Sequence, residues 1–272
     1  MTPEDNRTGE YPIGTVASSE VERLQLQHDA WLDDANWLLD QIDIKPGWRC
    51  LDLGCGPRGL TEMLSERVGA LGSVVGLEYN ATFVEIARKC APANVEIIQG
   101  DAYATGLAEN SFDLVHCRSL MSTSGQPEKL VAEAKKLLRS GGIFAAQEPD
   151  LGSLNCYPPN PAWDRLRHAI EVCFPGCAGR DPFPQQVFGL MRRAGFSEVQ
   201  FRPAIRGTTS EHPWRDFLPS TSESMRSEYL ARELFEAGEF DRILSEIRSH
   251  LADTNTIVTS VTMIQTWGRA PD

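Results

Sequence analysis

Gly54-Cys-Gly-Pro-Arg-Gly59 places three glycines at the spacing G-x-G-x-x-G directly after the apolar run Arg49-Cys-Leu-Asp-Leu53. Glycines so spaced allow a tight strand-to-helix turn and let the backbone come close to a ligand. Three carboxylates accompany the turn: Asp52 just before it, Glu78 at the end of the next strand pattern, and Asp101 just past the one after that. Acidic groups at the ends of successive strands suit a ligand that is largely cationic and rich in hydroxyl and amino donors.

Two cofactors bind turns of this spacing. A nicotinamide dinucleotide brings a pyrophosphate, which seeks backbone N–H groups at a helix N-terminus and no anion beside them, and Asp52 stands against that. S-adenosylmethionine (SAM) carries a sulfonium and an ammonium and no phosphate. The charge pattern therefore favours SAM, with an NAD-dependent enzyme as the weaker alternative.

To hold these residues in place the chain must alternate strands and helices. Apolar runs predict strands at Arg49–Leu53, Ser73–Glu78, Val95–Gln99, Phe112–His116 and Ile143–Gln147, with helices near Leu60–Val68, Ala81–Cys90 and Glu128–Leu138 between them. Such alternation implies parallel crossovers. Upstream, Leu24, Trp31, Ala35, Leu38 and Ile42 share one face of a single helix over Ser19–Ile42. Downstream come a strand around Glu198–Arg202, a helical insert over Ser210–Leu251, and one long final strand over Thr256–Trp267.

The expected fold is α/β: a Rossmann-like, doubly wound, seven-stranded and mostly parallel sheet with its last strand antiparallel, helices on both faces and a helical cap. Residues 1–43 form an N-terminal helical lid and 44–150 the cofactor-binding core; 151–196 are a cap insert and helix, 197–206 a core strand, 207–253 a helical cap insert and 254–272 the final core strand.

Together these segments resemble class I SAM-dependent methyltransferases, in the UbiE-like, type 11 branch that acts on small molecules. Arg49–Gly59 resembles their first motif, Val74-Val-Gly-Leu-Glu-Tyr-Asn80 the second, and Ile98-Gln-Gly-Asp-Ala102 the segment that contacts adenine. Phe112–His116 and Leu138–Ile143 match the next two strands, and Tyr11, Gly14, Ser19-Glu20, Arg23-Leu24 and Gln27 resemble the segment that closes over SAM. In one departure, Arg58 stands where the family usually has its third glycine, with Gly59 displaced by one.

The resemblance implies backbone contacts from Gly54, Cys55 and Gly56 to the methionine part of SAM, with Asp52 under the same end. Glu78 would take the ribose hydroxyls, and Asp101 with Ala102 the adenine amino group. Tyr79 and Asn80 would pack near the ring, Cys117 and Arg118 would line the methyl-transfer end, and Tyr11 and Gln27 would close over the cofactor. S-adenosylhomocysteine (SAH) would be the product.

Methyl transfer from a sulfonium is a direct displacement that needs alignment more than a protein nucleophile. Where a general base assists, the candidates are His28, His116, His168, His212, Glu148 and Asp150, and of these His116, Glu148 and Asp150 are favoured because they stand at or past strand ends. The acceptor atom is O, N or C of a small molecule, in keeping with a secondary-metabolite pathway. The alternative is reuse of the SAM-binding fold for a cyclisation or rearrangement.

The chain of 272 residues carries a net charge of −12, which excludes broad attraction to nucleic acid or anionic lipid. No run reaches the roughly 20 apolar residues of a spanning helix. The start MTPEDNRTGEYP lacks the basic and apolar regions of a signal peptide, so a cytoplasmic protein, monomeric or homodimeric, is expected. Seven cysteines without a C-x-x-C pair predict reduced thiols and no metal site.

Overall fold

The computed structural model describes residues 18–174, 183–209, 212–236 and 238–271. It opens with two helices, α1 (Ser18–Ala30) and α2 (Leu32–Ile42), where periodicity predicts one. The break falls at Trp31, whose φ of −107° and ψ of 9° leave the helical region. Trp31 packs into the core of the C-terminal layer, whereas Ala35, Leu38, Leu39 and Ile42 pack onto the sheet. Trp31, with the partly buried Ala30 beside it, thus joins one core while α2 joins the other, and the bend at Trp31 serves both.

The alternating core follows as β1 (Arg49–Leu53), α3 (Thr61–Val68), β2 (Ser73–Glu78), α4 (Ala81–Cys90), β3 (Val95–Gln99), β4 (Phe112–Arg118), α5 (Met121–Ser124), α6 (Pro127–Leu137) and β5 (Leu138–Asp150). After it come β6 (Asn155–Tyr157), α7 (Pro161–Cys173), α8 (Phe183–Arg193), β7 (Ser197–Ala204) and β8 (Gly207–Thr208). The chain ends with α9 (Phe217–Ser224), α10 (Arg226–Ala231), α11 (Glu239–Ala252), β9 (Ile257–Thr259) and β10 (Thr262–Arg269).

Seven strands form one sheet in the order β3-β2-β1-β4-β5-β10-β7. The pairs among β1 to β5 are parallel, and β10 runs antiparallel to both β5 and β7. Apart from their terminal residues, β1 and β4 are buried throughout, as expected of strands covered by helices on both faces. The strand order reverses between β1 and β4. The crevice outside their carboxyl ends is therefore where an open α/β sheet binds its ligand.

The run Thr256–Trp267 is two strands rather than one. It divides at Ser260-Val261, where the Ser260 amide donates to the Arg206 carbonyl at 2.8 Å. This turns β9 out of the main sheet and into a small antiparallel sheet, β6-β9-β8. Both inserts expected to be helical thus also contribute short strands. Beside this sheet α7, α9, α10 and α11 enclose a core of their own, with Trp163, Leu166, Leu218, Tyr229 and Ile247 buried. Full burial of each large apolar side chain contributes roughly 1.5–3 kcal/mol, so this layer is a packed unit. Among the described residues no helix is long and apolar enough to cross a membrane.

Candidate active site

The glycine turn hangs from β2. The Gly54 and Cys55 amides donate to the Leu77 carbonyl at 2.8 and 3.1 Å. Gly54 and Gly56 have φ of 66° and 62°, the left-handed region that glycine enters without penalty. A Cβ at Gly54 would press on Leu120 Cδ1 at 2.9 Å, whereas one at Gly56 would meet nothing within 4 Å among the described residues. The backbone at Gly56 is thus open to a ligand. The displaced glycine has its own reason: a Cβ at Gly59 would overlap Asp52 Oδ2 and the Cys55 carbonyl oxygen. Arg58, one residue earlier, is exposed and reaches Glu62 at 3.6 Å.

Glu78 closes the turn from the neighbouring strand. Its Oε2 accepts from the Gly56 amide at 2.9 Å and its Oε1 from the Asn80 amide at 2.8 Å. Burial pushes its carboxyl above the usual range, and these backbone hydrogen bonds pull it partway back. Asp52 is buried below the turn, with Oδ2 on the Leu60 amide at 2.9 Å and Oδ1 on His116 Nδ1 at 2.7 Å. Asp101 is exposed and caps its own turn, accepting from the Tyr103 amide at 2.8 Å. Its neighbours Gly100 and Ala102 face the cavity, and Asp101 does not.

A cavity of about 700 Å³ opens over this turn. Of the expected residues, Gln27, Asp52, Gly54, Cys55, Gly56, Glu78, Tyr79, Asn80, Ala102 and Arg118 line it. Asn80 also caps α4, its Oδ1 accepting from the Thr82 and Phe83 amides at 2.9 and 3.2 Å. Tyr11 lies outside the described residues.

Away from the turn the cavity becomes apolar. Trp214 stacks on Phe217, with centroids 4.2 Å apart and planes at 17°, and Trp31 meets Trp214 edge-on at 6.0 Å. Ile170, Phe174 and Met263 complete this chamber. An aromatic residue facing a cavity and one facing a core have the same spacing in the sequence, so periodicity does not separate them.

Arg118 sits where the two halves meet. Its Nη2 lies 3.0 Å from His28 Nδ1, and its Nη1 is buried without a partner among the described residues. It forms no salt bridge with a carboxylate among the described residues. Burial lowers its guanidinium to about 10 and, with Arg118 alongside, lowers His28 to about 4. His28 is neutral at pH 7 and accepts from Arg118.

Besides Asp101, four expected site residues lie outside the cavity lining. His116 is fully buried, with Nδ1 on Asp52 and Nε2 3.0 Å from Gln147 Nε2, and has no nitrogen left for a substrate. Glu148 accepts from the Leu120, Met121 and Ser122 amides at 3.1, 3.0 and 3.0 Å. It anchors from beneath the loop whose Ser119, Leu120 and Thr123 line the cavity, and burial pushes its carboxyl up to about 7. Asp150 accepts from Gln185 Nε2 at 2.8 Å and does not line the cavity. Cys117 is a fully buried core residue.

Comparison with known proteins agrees with this architecture. A family described as a methyltransferase domain matches residues 51–146. The demethylmenaquinone methyltransferase of Staphylococcus haemolyticus is 30% identical over 241 residues, covering 85% of this chain and 84% of that protein. A protein of 37.1 kDa in transposon TN4556 of Streptomyces fradiae is 36% identical over 166 residues; these are 59% of this chain and 46% of the relative, so the match spans less than half of that protein. Among solved structures, a Haemonchus contortus phosphoethanolamine N-methyltransferase crystallised with SAH superposes with a TM-score of 0.54 at 17% identity, covering 88% of this chain and 53% of that one. The chain belongs to the class I SAM-dependent methyltransferases, in the type 11 branch that includes the demethylmenaquinone methyltransferases. It is an enzyme whose cofactor is SAM.

Proposed function

We propose that SAM occupies the polar half of the cavity and that the methyl acceptor is a small, apolar, ring-bearing molecule held in the aromatic chamber, methylated on an oxygen or on a carbon beside one. The stacked Trp214–Phe217 pair, crossed by Trp31 and opening onto Arg118, carries this reading. No acidic side chain lines the chamber half among the described residues, which leaves a cationic amine without a counter-charge. The relative named for demethylmenaquinone is in keeping with an acceptor of this kind.

The residues present fit SAM. Its carboxylate calls for a cation, and Arg118 Nη1 is a buried donor without a partner among the described residues. Its ribose hydroxyls call for an acceptor, and Glu78 oxygens that each accept one amide have lone pairs to spare. Bound SAM supplies a methyl group already activated as a sulfonium. Glu78 and the Gly54–Gly56 backbone fix the donor, the aromatic chamber orients the acceptor, and the apolar walls exclude water.

Purified protein incubated with methyl-labelled SAM and a panel of phenols, quinols and amines tests the proposal. Label is expected in apolar ring acceptors, with release of SAH and a product heavier by one methyl. Label found only in charged amines, or an isomerised product without SAH, would reject it.

A further inference from the structure

A line of buried hydrogen bonds crosses the sheet beneath the cavity. Arg202 Nη1 donates to Gln265 Oε1 at 2.8 Å, and Gln265 Nε2 donates to Gln147 Oε1 at 3.0 Å. Gln147 Nε2 lies 3.0 Å from His116 Nε2, and His116 Nδ1 lies 2.7 Å from Asp52 Oδ1. These five residues stand on β7, β10, β5, β4 and β1, which are consecutive in the sheet. Gln265 is opposite both Gln147 and Arg202 in register, and His116 is opposite Asp52. His116, Gln147 and Gln265 are 0% exposed. Apolar side chains would fill these positions without the need to satisfy every polar atom, so the line is an unusual way to build a core.

Its polarity is fixed at one end. A guanidinium can only donate, so Gln265 must turn its oxygen toward Arg202 and its amide nitrogen inward. The same nitrogen donates to the Asp34 carbonyl at 2.8 Å, which can only accept, and this fixes the orientation a second time. Gln147 must then offer its oxygen to Gln265 and its N–H to His116. The imidazole Nε2 is left as the acceptor, and the ring proton stands on Nδ1, aimed at Asp52.

Asp52 in turn sets the glycine turn. Its other oxygen holds the Leu60 amide at the entrance to α3, and Gly59 packs so closely that no Cβ fits between them. A shift of this carboxylate displaces the loop that lines the cavity.

We propose that Gln265, Gln147 and His116 form a tautomer-setting relay, which presents an N–H rather than a bare nitrogen to Asp52 and so holds the donor-binding turn in shape. They are positioning residues, and none lines the cavity. The proposal rests on the reading that this turn belongs to the SAM site.

Nitrogen NMR of histidine-labelled protein reads the tautomer directly, and calorimetry with SAH reads the turn. His116 is expected to carry its proton on Nδ1. His116→Leu is expected to weaken SAH binding about tenfold, the scale of a buried hydrogen bond to a charged group. His116→Asn, whose amide nitrogen takes the place of Nδ1, is expected to restore affinity to within about threefold, and a merely space-filling role would not separate these variants. Gln147→Glu, which replaces the donor by an acceptor, is expected to draw a proton onto Nε2. A wild-type proton on Nε2, or His116→Leu binding SAH like wild type, overturns the proposal alone. Folded wild-type protein that binds no SAH overturns the functional reading, and the proposal with it.

Discussion

Glu78 Oε2 accepts a hydrogen bond from the Gly56 amide at 2.9 Å, which ties the acidic end of β2 to the open glycine turn after β1. Glu78 therefore serves two purposes, shaping the turn and offering its remaining lone pairs to the cavity. The arrangement places a buried carboxylate where a ligand rich in hydroxyl donors gains most from it.

Glu78→Ala is expected to weaken SAM binding by roughly 1 to 3 kcal/mol, the scale for leaving buried polar partners unpaired. Calorimetry on the folded variant measures this, and unchanged affinity would remove Glu78 from the cofactor site.

Arg118→Gln removes the cation from the junction of the two cavity halves. Hydrogen bonds to charged groups contribute about 1.5–3 kcal/mol, so a loss of SAH affinity of roughly tenfold to a hundredfold is expected. Adenosine, which lacks the carboxylate, should bind wild type and variant equally. If adenosine binding weakens as much as SAH binding, Arg118 does not hold the carboxylate.

His28 gives a pH dependence of defined sign. Burial, and then Arg118, lower its folded value to about 4 from the ordinary 6.5. The neutral ring is favoured in the fold, so its contribution is fully present above about pH 6.5 and is lost as pH falls toward about 4. The whole loss is on the order of 3 kcal/mol at about 1.4 kcal/mol per unit. Urea unfolding of wild type and His28→Gln at about pH 7 and about pH 4 should show wild type losing more stability by about that amount. Equal losses would contradict the assignment.

Trp214→Leu keeps an apolar side chain in the chamber and removes the stacked pair with Phe217. An aromatic pair contributes about 0.5–1.5 kcal/mol beyond its area, so KM for a ring-bearing acceptor should rise by up to about tenfold with SAH affinity unchanged. If KM stays the same, the acceptor does not sit against Trp214.

The alternating core was legible because two periodicities change over at recognisable turns, and Gly54–Gly59 marks one such change. Glu78 and the glycine turn were legible for the same reason, since strand ends in a parallel sheet converge on one edge. Which way a side chain faces was less so. His116, Cys117, Glu148 and Asp150 all stand at strand ends, yet His116 and Cys117 turn into the packed sheet and Glu148 into a nest of loop amides. Alternation states that neighbours face opposite ways and not which of them faces the ligand. The break at Trp31 has no glycine or proline to announce it, and the strands β6, β8 and β9, at two or three residues each, are too short to leave a period.

The central claim is that the cavity over Gly54–Gly56 and Glu78 is the SAM site. Titration of the wild-type protein with SAH in a calorimeter tests it most directly: a saturable heat with one site per chain is predicted, weakened in Glu78→Ala. The absence of any heat with the wild type, or equal binding by both proteins, would contradict it.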